Sequence, residues 1–341
     1  MKNFLLQLAE HKSLSENEMK AAFGMILGEE ASESEIAAFL MGLKSKGETV
    51  EEITGIVRAL KENTLSFKKR LPNVLDNCGT GGDGSSSFNI STTSAFVIAG
   101  AGIPVAKHGN RSISSKTGSA DVLEYLGINL NVPAERTEEI LQEIGITFLF
   151  APHVHPKLKN VMTVRKQLRI PTIFNFIGPL TNPIDLDYQL LGVYRRDLLT
   201  VFAEVLQKLG RKRATVVNGA GFMDEASLQG ENHLTVLENG VISIQSFFPE
   251  EIGLPQYENS CIKGGDSQEN ADILLKVLKG EKGAYRDTVL LNAGLGIFTT
   301  GKTATIQEGI HLAKEIIDSG AALEKLNLLI EKSHSDQREA I

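Results

Sequence analysis

Asp76-Asn77-Cys78-Gly79-Thr80-Gly81-Gly82-Asp83-Gly84, closed by Ser87-Phe88-Asn89-Ile90-Ser91-Thr92-Thr93, decides the reading of this chain. Four glycines within positions 79–84 leave the backbone bare, free to take positive φ and to lie close against a ligand. Ser91 and Thr92 precede the apolar run Ala95-Phe96-Val97-Ile98-Ala99. That order predicts a strand, a glycine loop, then a helix opening on hydroxyl residues. Unpaired N–H groups and the dipole at a helix start favour phosphate. The spacing of a Walker A loop is missing. Gly79, Gly81 and Gly84 satisfy Gly-x-Gly-x-x-Gly, but Asp83 would set a carboxylate beside a dinucleotide pyrophosphate. Alone, these glycines also leave room for a flexible surface loop, the lesser of the two readings. Cys78 reads as a small residue ending the strand, since no thiol-enzyme motif surrounds it.

A second stretch, Val105-Ala106-Lys107-His108-Gly109-Asn110-Arg111-Ser112-Ile113-Ser114-Ser115-Lys116-Thr117-Gly118-Ser119-Ala120-Asp121, strengthens the phosphate reading. Lys107 and Arg111 bring charge, and the hydroxyls and amides bring direction, as a loop around a polyphosphate requires. Ser119 is also placed to N-cap the helix that begins at Ala120.

Composition narrows the class. The chain has 341 residues, enough for one large domain and a smaller one, with 42% hydrophobic residues to build a core. Its net charge of −7 and pI near 5.6 make it a poor default binder of nucleic acid. An anionic substrate would need local compensation from Lys107, Arg111 or a metal. Two distant cysteines, Cys78 and Cys261, show no zinc or redox spacing, so a reducing cytoplasm is the expected compartment. Leu5-Leu6-Gln7-Leu8-Ala9 is too short for a signal sequence, and no stretch approaches a membrane span.

Residues 1–70 read as a helical domain. Ser15-x-x-Glu18, Ser32-x-x-Glu35 and Thr49-x-x-Glu52 are capping boxes, each followed by apolar residues at helical spacing. Residues 71–341 read as an α/β domain. Short strands are expected at 74–75, 105–106, 147–150, 189–193 and 214–217, with helices at 135–144 and 198–209 between them. Such alternation predicts a mostly parallel sheet covered by helices. Leu234–Leu237 and Val241–Ile244 flank Asn239-Gly240, a hairpin signal. Further helices are expected at 270–278, 304–318 and 321–332. The Gly79 loop, the Lys107 loop and Asp224-Glu225 each follow a predicted strand, so all three can converge at the carboxyl end of the sheet.

Several of these elements together resemble the anthranilate phosphoribosyltransferase family. The likeness rests on Gly-Thr-Gly-Gly-Asp at 79–83, Asn-Ile-Ser-Thr at 89–92, Lys-His-Gly-Asn-Arg at 107–111 and Gly-Ser-Ala-Asp at 118–121. His155-Pro156, Val164-Arg165-Lys166, the stretch from Asn175 to Pro183 and Asp224-Glu225 extend it over nearly the whole chain. The resemblance implies a fold like that of nucleoside phosphorylases, with a helical dimerisation domain and a segment near 160–182 at the interdomain cleft. It implies transfer of a phosphoribosyl group from phosphoribosyl pyrophosphate to the amine of anthranilate, in tryptophan biosynthesis, by a cytoplasmic homodimer. It implies Mg²⁺, two ions per subunit with substrate bound, held by Ser91, Asp224 and Glu225. Phosphoribosyl pyrophosphate would contact Gly79, Gly82, Asp83, Ser87, Asn89, Ile90, Ser91, Thr92, Lys107, His108, Gly109, Asn110, Arg111, Ser112, Ile113, Ser114, Ser115 and Ser119. Anthranilate would contact Gly79, Asn110 and Arg165. No residue is assigned as acid or base, because the aniline is already neutral and its proton becomes acidic only after attack.

The chain departs from the family's usual residues at Ser87, Lys157, Leu158, Pro171, Asn218 and Met223, none of which removes an expected ligand. Two other readings stay open. A pyrimidine nucleoside phosphorylase shares the implied fold, but the Lys107–Arg111 element and Asp224-Glu225 favour the transferase. A non-catalytic nucleic-acid-binding relative would want a basic surface and eroded acids, and this chain has neither.

Overall fold

The computed structural model describes residues 1–68, 70–111 and 116–334. Four helices open the chain: α1 (Lys2–Ala9), α2 (Glu16–Leu27), α3 (Glu33–Lys46) and α4 (Val50–Glu62). All three capping boxes form. Ser15, Ser32 and Thr49 each accept from the N–H of the glutamate three residues on, which bonds back to the cap. Glu52 does more, accepting from the Leu14 N–H at 2.9 Å and pairing with Lys46 at 2.8 Å in the interior. The helical segment stops at Glu62, short of residue 70; Thr64 and Leu65 instead bond to the Val154 carbonyl.

The remaining elements are β1 (Leu75–Gly79), α5 (Ile90–Gly100), β2 (Val105–Gly109), α6 (Ser119–Tyr125), α7 (Ala134–Ile144), β3 (Ile146–Phe150), α8 (Ala151–Val154), α9 (Lys159–Leu168), β4 (Tyr188–Gly192), α10 (Leu199–Lys208), β5 (Arg213–Asn218), β6 (Asn232–Glu238), β7 (Val241–Phe247), α11 (Ser267–Leu278), α12 (Ala284–Thr299), α13 (Ile306–Asp318) and α14 (Ala321–Lys332). The sheet order is β3-β2-β1-β4-β5-β6-β7. The first five strands in that order run parallel, and β6 and β7 add an antiparallel hairpin. Asn239 and Gly240 both take positive φ at the hairpin turn, as a two-residue turn matched to strand twist requires.

Alternating side chains feed two large cores, and Ala106 and Leu149 join a smaller third cluster with Leu141, Val154 and Ile184. Leu190, Val217 and Leu234 point into one with α5, α6, α7 and α11–α14. Leu191, Val216 and Leu237 point into the other, which is continuous through α10 with α2, α3 and α4. Val161, Val164, Ile173, Phe176, Ile177 and Leu180 join this second core, so the 160–182 segment packs between the N-terminal helices and the sheet. The sequence reading found no helix at α12. Residues 288–297 are buried on every side, so no polar face marks the helical period.

Candidate active site

The strand order reverses beside β1: β2 and β3 lie on one side, and β4 and β5 on the other. Ligands bind beyond the carboxyl ends of strands at such a point. Gly79 ends β1 and Gly192 ends β4, and the two are register partners. Thr80 N–H donates to the Gly192 carbonyl at 2.9 Å, tying the glycine loop to β4. A Cβ on Gly192 would overlap the Asp224 carbonyl oxygen, and one on Gly79 would overlap the Asp224 carboxylate. The two glycines thus make room for the β5–β6 connection to enter the switch point. Gly81, Gly82 and Gly84 take positive φ, as the loop reading expects.

Three acids gather there. Asp224 accepts from the Gly81 N–H at 2.6 Å, and its own N–H faces Asp83 at 3.5 Å. Glu225 accepts from the Ser91 N–H at 3.1 Å. The α5 N-terminus, expected to face phosphate, therefore already directs one amide at a carboxylate. Burial, followed by repulsion from Asp83 and Glu225, raises the Asp224 carboxyl well above its ordinary range. Burial raises Glu225 to about 7, opposed mainly by Lys107 and by hydrogen bonds from Ser91. A buried Asp224 between half-buried Asp83 and Glu225, each repelling it, calls for a cation. Among the described residues, no group of three or more His, Cys, Asp or Glu side chains is arranged to hold a metal. Mg²⁺ suits such an open set, because it keeps several waters and shares its remaining positions between one or two carboxylates and substrate phosphates. Ser91, Asp224 and Glu225 fit that ion in chemistry, with Asp83 adjoining.

Lys107, His108 and Gly109 lie in β2 and not in a loop. Strand alternation turns the buried Lys107 side chain under the site, where Nζ donates to the Asn77 carbonyl at 2.7 Å and to Ser91 Oγ at 3.3 Å. Arg111 is paired with Asp121 and Glu124 on α6, at 2.9 and 2.7 Å, and lies over the Phe150 ring. Asn110 Oδ1 accepts from the Arg111 N–H. Ser119 does not cap α6. Gly118 holds the cap position, with its N–H donated to Asp121, while the Ser119 hydroxyl donates to the Asn110 carbonyl. Ser112, Ile113, Ser114 and Ser115 lie outside the described residues. Ser87 bridges to Lys263, and Asn89 accepts from Asn270 at the head of α5. Ile90 and Thr92 are buried beneath the helix start. Gly82 lies near the Tyr194 ring.

Arg165 stands on α9, half-buried, with the Phe174 ring 5.3 Å from its guanidinium carbon. Met162 Sδ and Asn175 Oδ1 receive its N–H groups at 3.3 and 3.4 Å; among the described residues no carboxylate pairs with it. Burial lowers its pKa. The His108 and His155 rings meet edge to face with centroids 5.5 Å apart. Both are buried, and burial pushes their pKa values down to about 3 and about 4, so both are neutral at pH 7.

Sequence reasoning missed Gly192, whose closing of β4 carries no motif of its own. It also missed Asn77, whose amide donates to the Ser91 carbonyl at 2.9 Å. Its place one residue inside the glycine stretch was the available signal.

Residues 71–323 match the glycosyl transferase family, a/b domain, and residues 2–64 match the helical bundle domain of that family. The chain is 59% identical to an anthranilate phosphoribosyltransferase of Bacillus cereus (strain B4264) over 334 residues, 98% of each chain. The crystal structure of anthranilate phosphoribosyltransferase from Thermus thermophilus superposes with a TM-score of 0.93 at 39% identity, covering 97% of this chain and 99% of that one. The Saccharomyces cerevisiae enzyme in complex with PRPP and Mg superposes with a TM-score of 0.90 at 27% identity, covering 98% and 97%. With its glycine loop, acidic pair and helical bundle in place, the chain belongs to the anthranilate phosphoribosyltransferase family.

Proposed function

We propose that this chain transfers the phosphoribosyl group of phosphoribosyl pyrophosphate to the amine of anthranilate, releasing pyrophosphate, as one step of tryptophan biosynthesis. The observation that carries this reading is the convergence of the Gly79–Gly84 loop, the α5 start and Asp224-Glu225 at the switch point. In the reaction, the bond from the ribose anomeric carbon to the pyrophosphate oxygen breaks. A bond to the anthranilate nitrogen forms, and one amine proton leaves afterwards. An aromatic amine is a weak nucleophile, so the barrier must fall through positioning and through stabilisation of the departing anion.

The chain's own groups divide that work. The bare loop from Gly79 to Gly84, with Ser87, Asn89 and Ser91, brings amides and hydroxyls to the phosphates. Lys107 places a buried positive charge below them. Asp83 helps set the acidic loop, and Ser91, Asp224 and Glu225 would hold Mg²⁺, which neutralises phosphate oxygens when bound. Arg165 holds the anthranilate carboxylate by paired hydrogen bonds, with Asn110 and Gly79 beside the amine. Arg111 exchanges its partners on α6 for phosphate. We assign residues 1–70 to dimerisation and 71–341 to catalysis, with the 160–182 segment lining the cleft between them, in a cytoplasmic homodimer binding two Mg²⁺ per subunit with substrate.

The test follows anthranilate fluorescence in the presence of phosphoribosyl pyrophosphate and Mg²⁺. The expected result is a steady loss of fluorescence that EDTA stops and added Mg²⁺ restores. Unchanged fluorescence, together with phosphorolysis of a pyrimidine nucleoside, would replace this reading by a phosphorylase. Sedimentation at micromolar concentration checks the dimer.

A further inference from the structure

The acidic loop is held from behind at both ends. Asn218, the last residue of β5, is fully buried. Its Nδ2 donates to the Val193 carbonyl at 2.8 Å and reaches the Met223 carbonyl at 3.5 Å. Its Oδ1 accepts from Arg196 Nε at 3.0 Å. The Arg196 guanidinium in turn lies over the Phe222 ring at 5.0 Å. Phe222 is exposed and has φ of 60°, an uncommon left-handed conformation for a bulky residue. Backbone held in this region needs surroundings that over-determine it.

On the far side of the pair stands Asn292, in the middle of the buried helix α12. Its Oδ1 accepts from the Ala226 N–H and its Nδ2 donates to the Ala226 carbonyl, both at 2.9 Å. A buried carboxamide in an apolar helix is costly unless bonded. This one grips both backbone polar groups of the residue that follows Glu225. Met223 and Ala226 are thus anchored, and Asp224 and Glu225 lie between the anchors. A buried acid and a half-buried one side by side in an irregular segment repel each other and would part without such restraint.

We infer that Asn218 and Asn292 are positioning residues that fix Asp224 and Glu225 for the Mg²⁺ complex of phosphoribosyl pyrophosphate, an inference that rests on the proposed function. Groups behind a metal ligand set its orientation, and their loss lowers affinity or activity on the order of tenfold to a hundredfold. The experiment titrates phosphoribosyl pyrophosphate by calorimetry into full-length wild type, Asn218→Ala, Asn218→His and Asn292→Leu, at saturating and at limiting Mg²⁺. Melting temperature and the Michaelis constant for anthranilate are measured alongside.

Asn218→Ala should weaken phosphoribosyl pyrophosphate binding on the order of tenfold or more, and more at limiting than at saturating Mg²⁺. Its anthranilate Michaelis constant should stay at the wild-type value. Asn218→His, which keeps a ring donor and acceptor, should recover most of the loss. Asn292→Leu should behave as Asn218→Ala does; if it fails to fold, the Asn218 variants decide. Wild-type affinity in folded Asn218→Ala overturns the inference, as does an equal loss for both substrates with a lowered melting temperature. Wild type that does not bind phosphoribosyl pyrophosphate with Mg²⁺ overturns the proposed function itself, and this inference with it.

Discussion

Asp224 sits under two backbone segments at the switch point, where even a methyl group on Gly192 would collide with it, whereas Arg165 reaches from a helix and sets its guanidinium against a thioether, an amide oxygen and an aromatic ring. The first region is made of backbone fitted to backbone. Its precision comes from the absence of side chains. The second is made of a side chain whose charge is partly desolvated and unmatched by a carboxylate among the described residues. The difference predicts different sensitivities: the phosphate side should respond to volume, and the acceptor side to charge.

Gly192→Ala is the severest test. The new Cβ meets a backbone carbonyl that cannot rotate away, so β4 and the acidic loop must part. Overpacking of this kind costs about 1–3 kcal/mol and sometimes more. We expect loss of turnover and of phosphoribosyl pyrophosphate binding, with a lower melting temperature. A variant with near wild-type turnover would show that the loop does not need its close seat on β4.

Arg165→Ala should leave the fold intact and strike one substrate. Hydrogen bonds to charged groups contribute about 1.5–3 kcal/mol, so use of anthranilate should fall roughly tenfold to a hundredfold. Phosphoribosyl pyrophosphate affinity should change much less. Aniline, lacking the carboxylate, should be a poor acceptor for wild type and should lose little further in the variant. Equal harm to both acceptors would make Arg165 a structural residue and remove the contrast between the regions.

His108 follows Lys107 on β2 and its ring meets that of His155, and the neutrality of this buried pair adds a pH dependence. Their folded values, about 3 and about 4, lie below the ordinary 6.5 because burial disfavours the charged ring. The unfolded chain therefore binds more protons below pH 6.5. Their contribution to stability is full above pH 6.5 and is lost as pH falls towards 4 and then 3, by about 1.4 kcal/mol per pH unit for each proton taken up. Urea denaturation at pH 7.5 and pH 5 should show this loss, and His155→Gln should reduce it. An unchanged pH dependence in the variant would mean that other groups govern acid stability.

The smallest effect on stability belongs to Arg111→Ala. Its ion pairs on α6 are largely exposed, and such pairs contribute about 0–1 kcal/mol. Melting temperature should barely move, while the Michaelis constant for phosphoribosyl pyrophosphate rises. If neither changes, Arg111 belongs to neither region and its pairing with Asp121 and Glu124 is its whole role.

Local chemistry was legible in the chain itself. A serine or threonine three residues before a glutamate and ahead of apolar residues at helical spacing is a local capping signal, so Ser15, Ser32 and Thr49 announced α2, α3 and α4. Asn239-Gly240 announced its hairpin because few residue pairs accept two positive φ values. The glycine loop, the acidic pair and Arg165 were visible because short motifs keep those residues together. Ser119 shows the limit of such reading: capping geometry moved to Gly118 and Asp121, and the serine hydroxyl turned to Asn110 across the loop.

What lies far apart in sequence and close in space had no local sign. Gly192 matters because β4 pairs with β1 and Asp224 passes over both, a fact of sheet order. Lys107 joined a strand because β3 extends its ladder to Gly109, which swung the lysine inward below Ser91. The helix α12 was hidden because complete burial erases the polar face that periodicity needs, and Asn292 within it gained its meaning only from Ala226, sixty-six residues away. Sequence determined the capped helices, the hairpin turn and the chemical groups each segment carries, since these follow from neighbouring residues. Tertiary packing decided which of those groups meet, because burial and repulsion act through space and not along the chain.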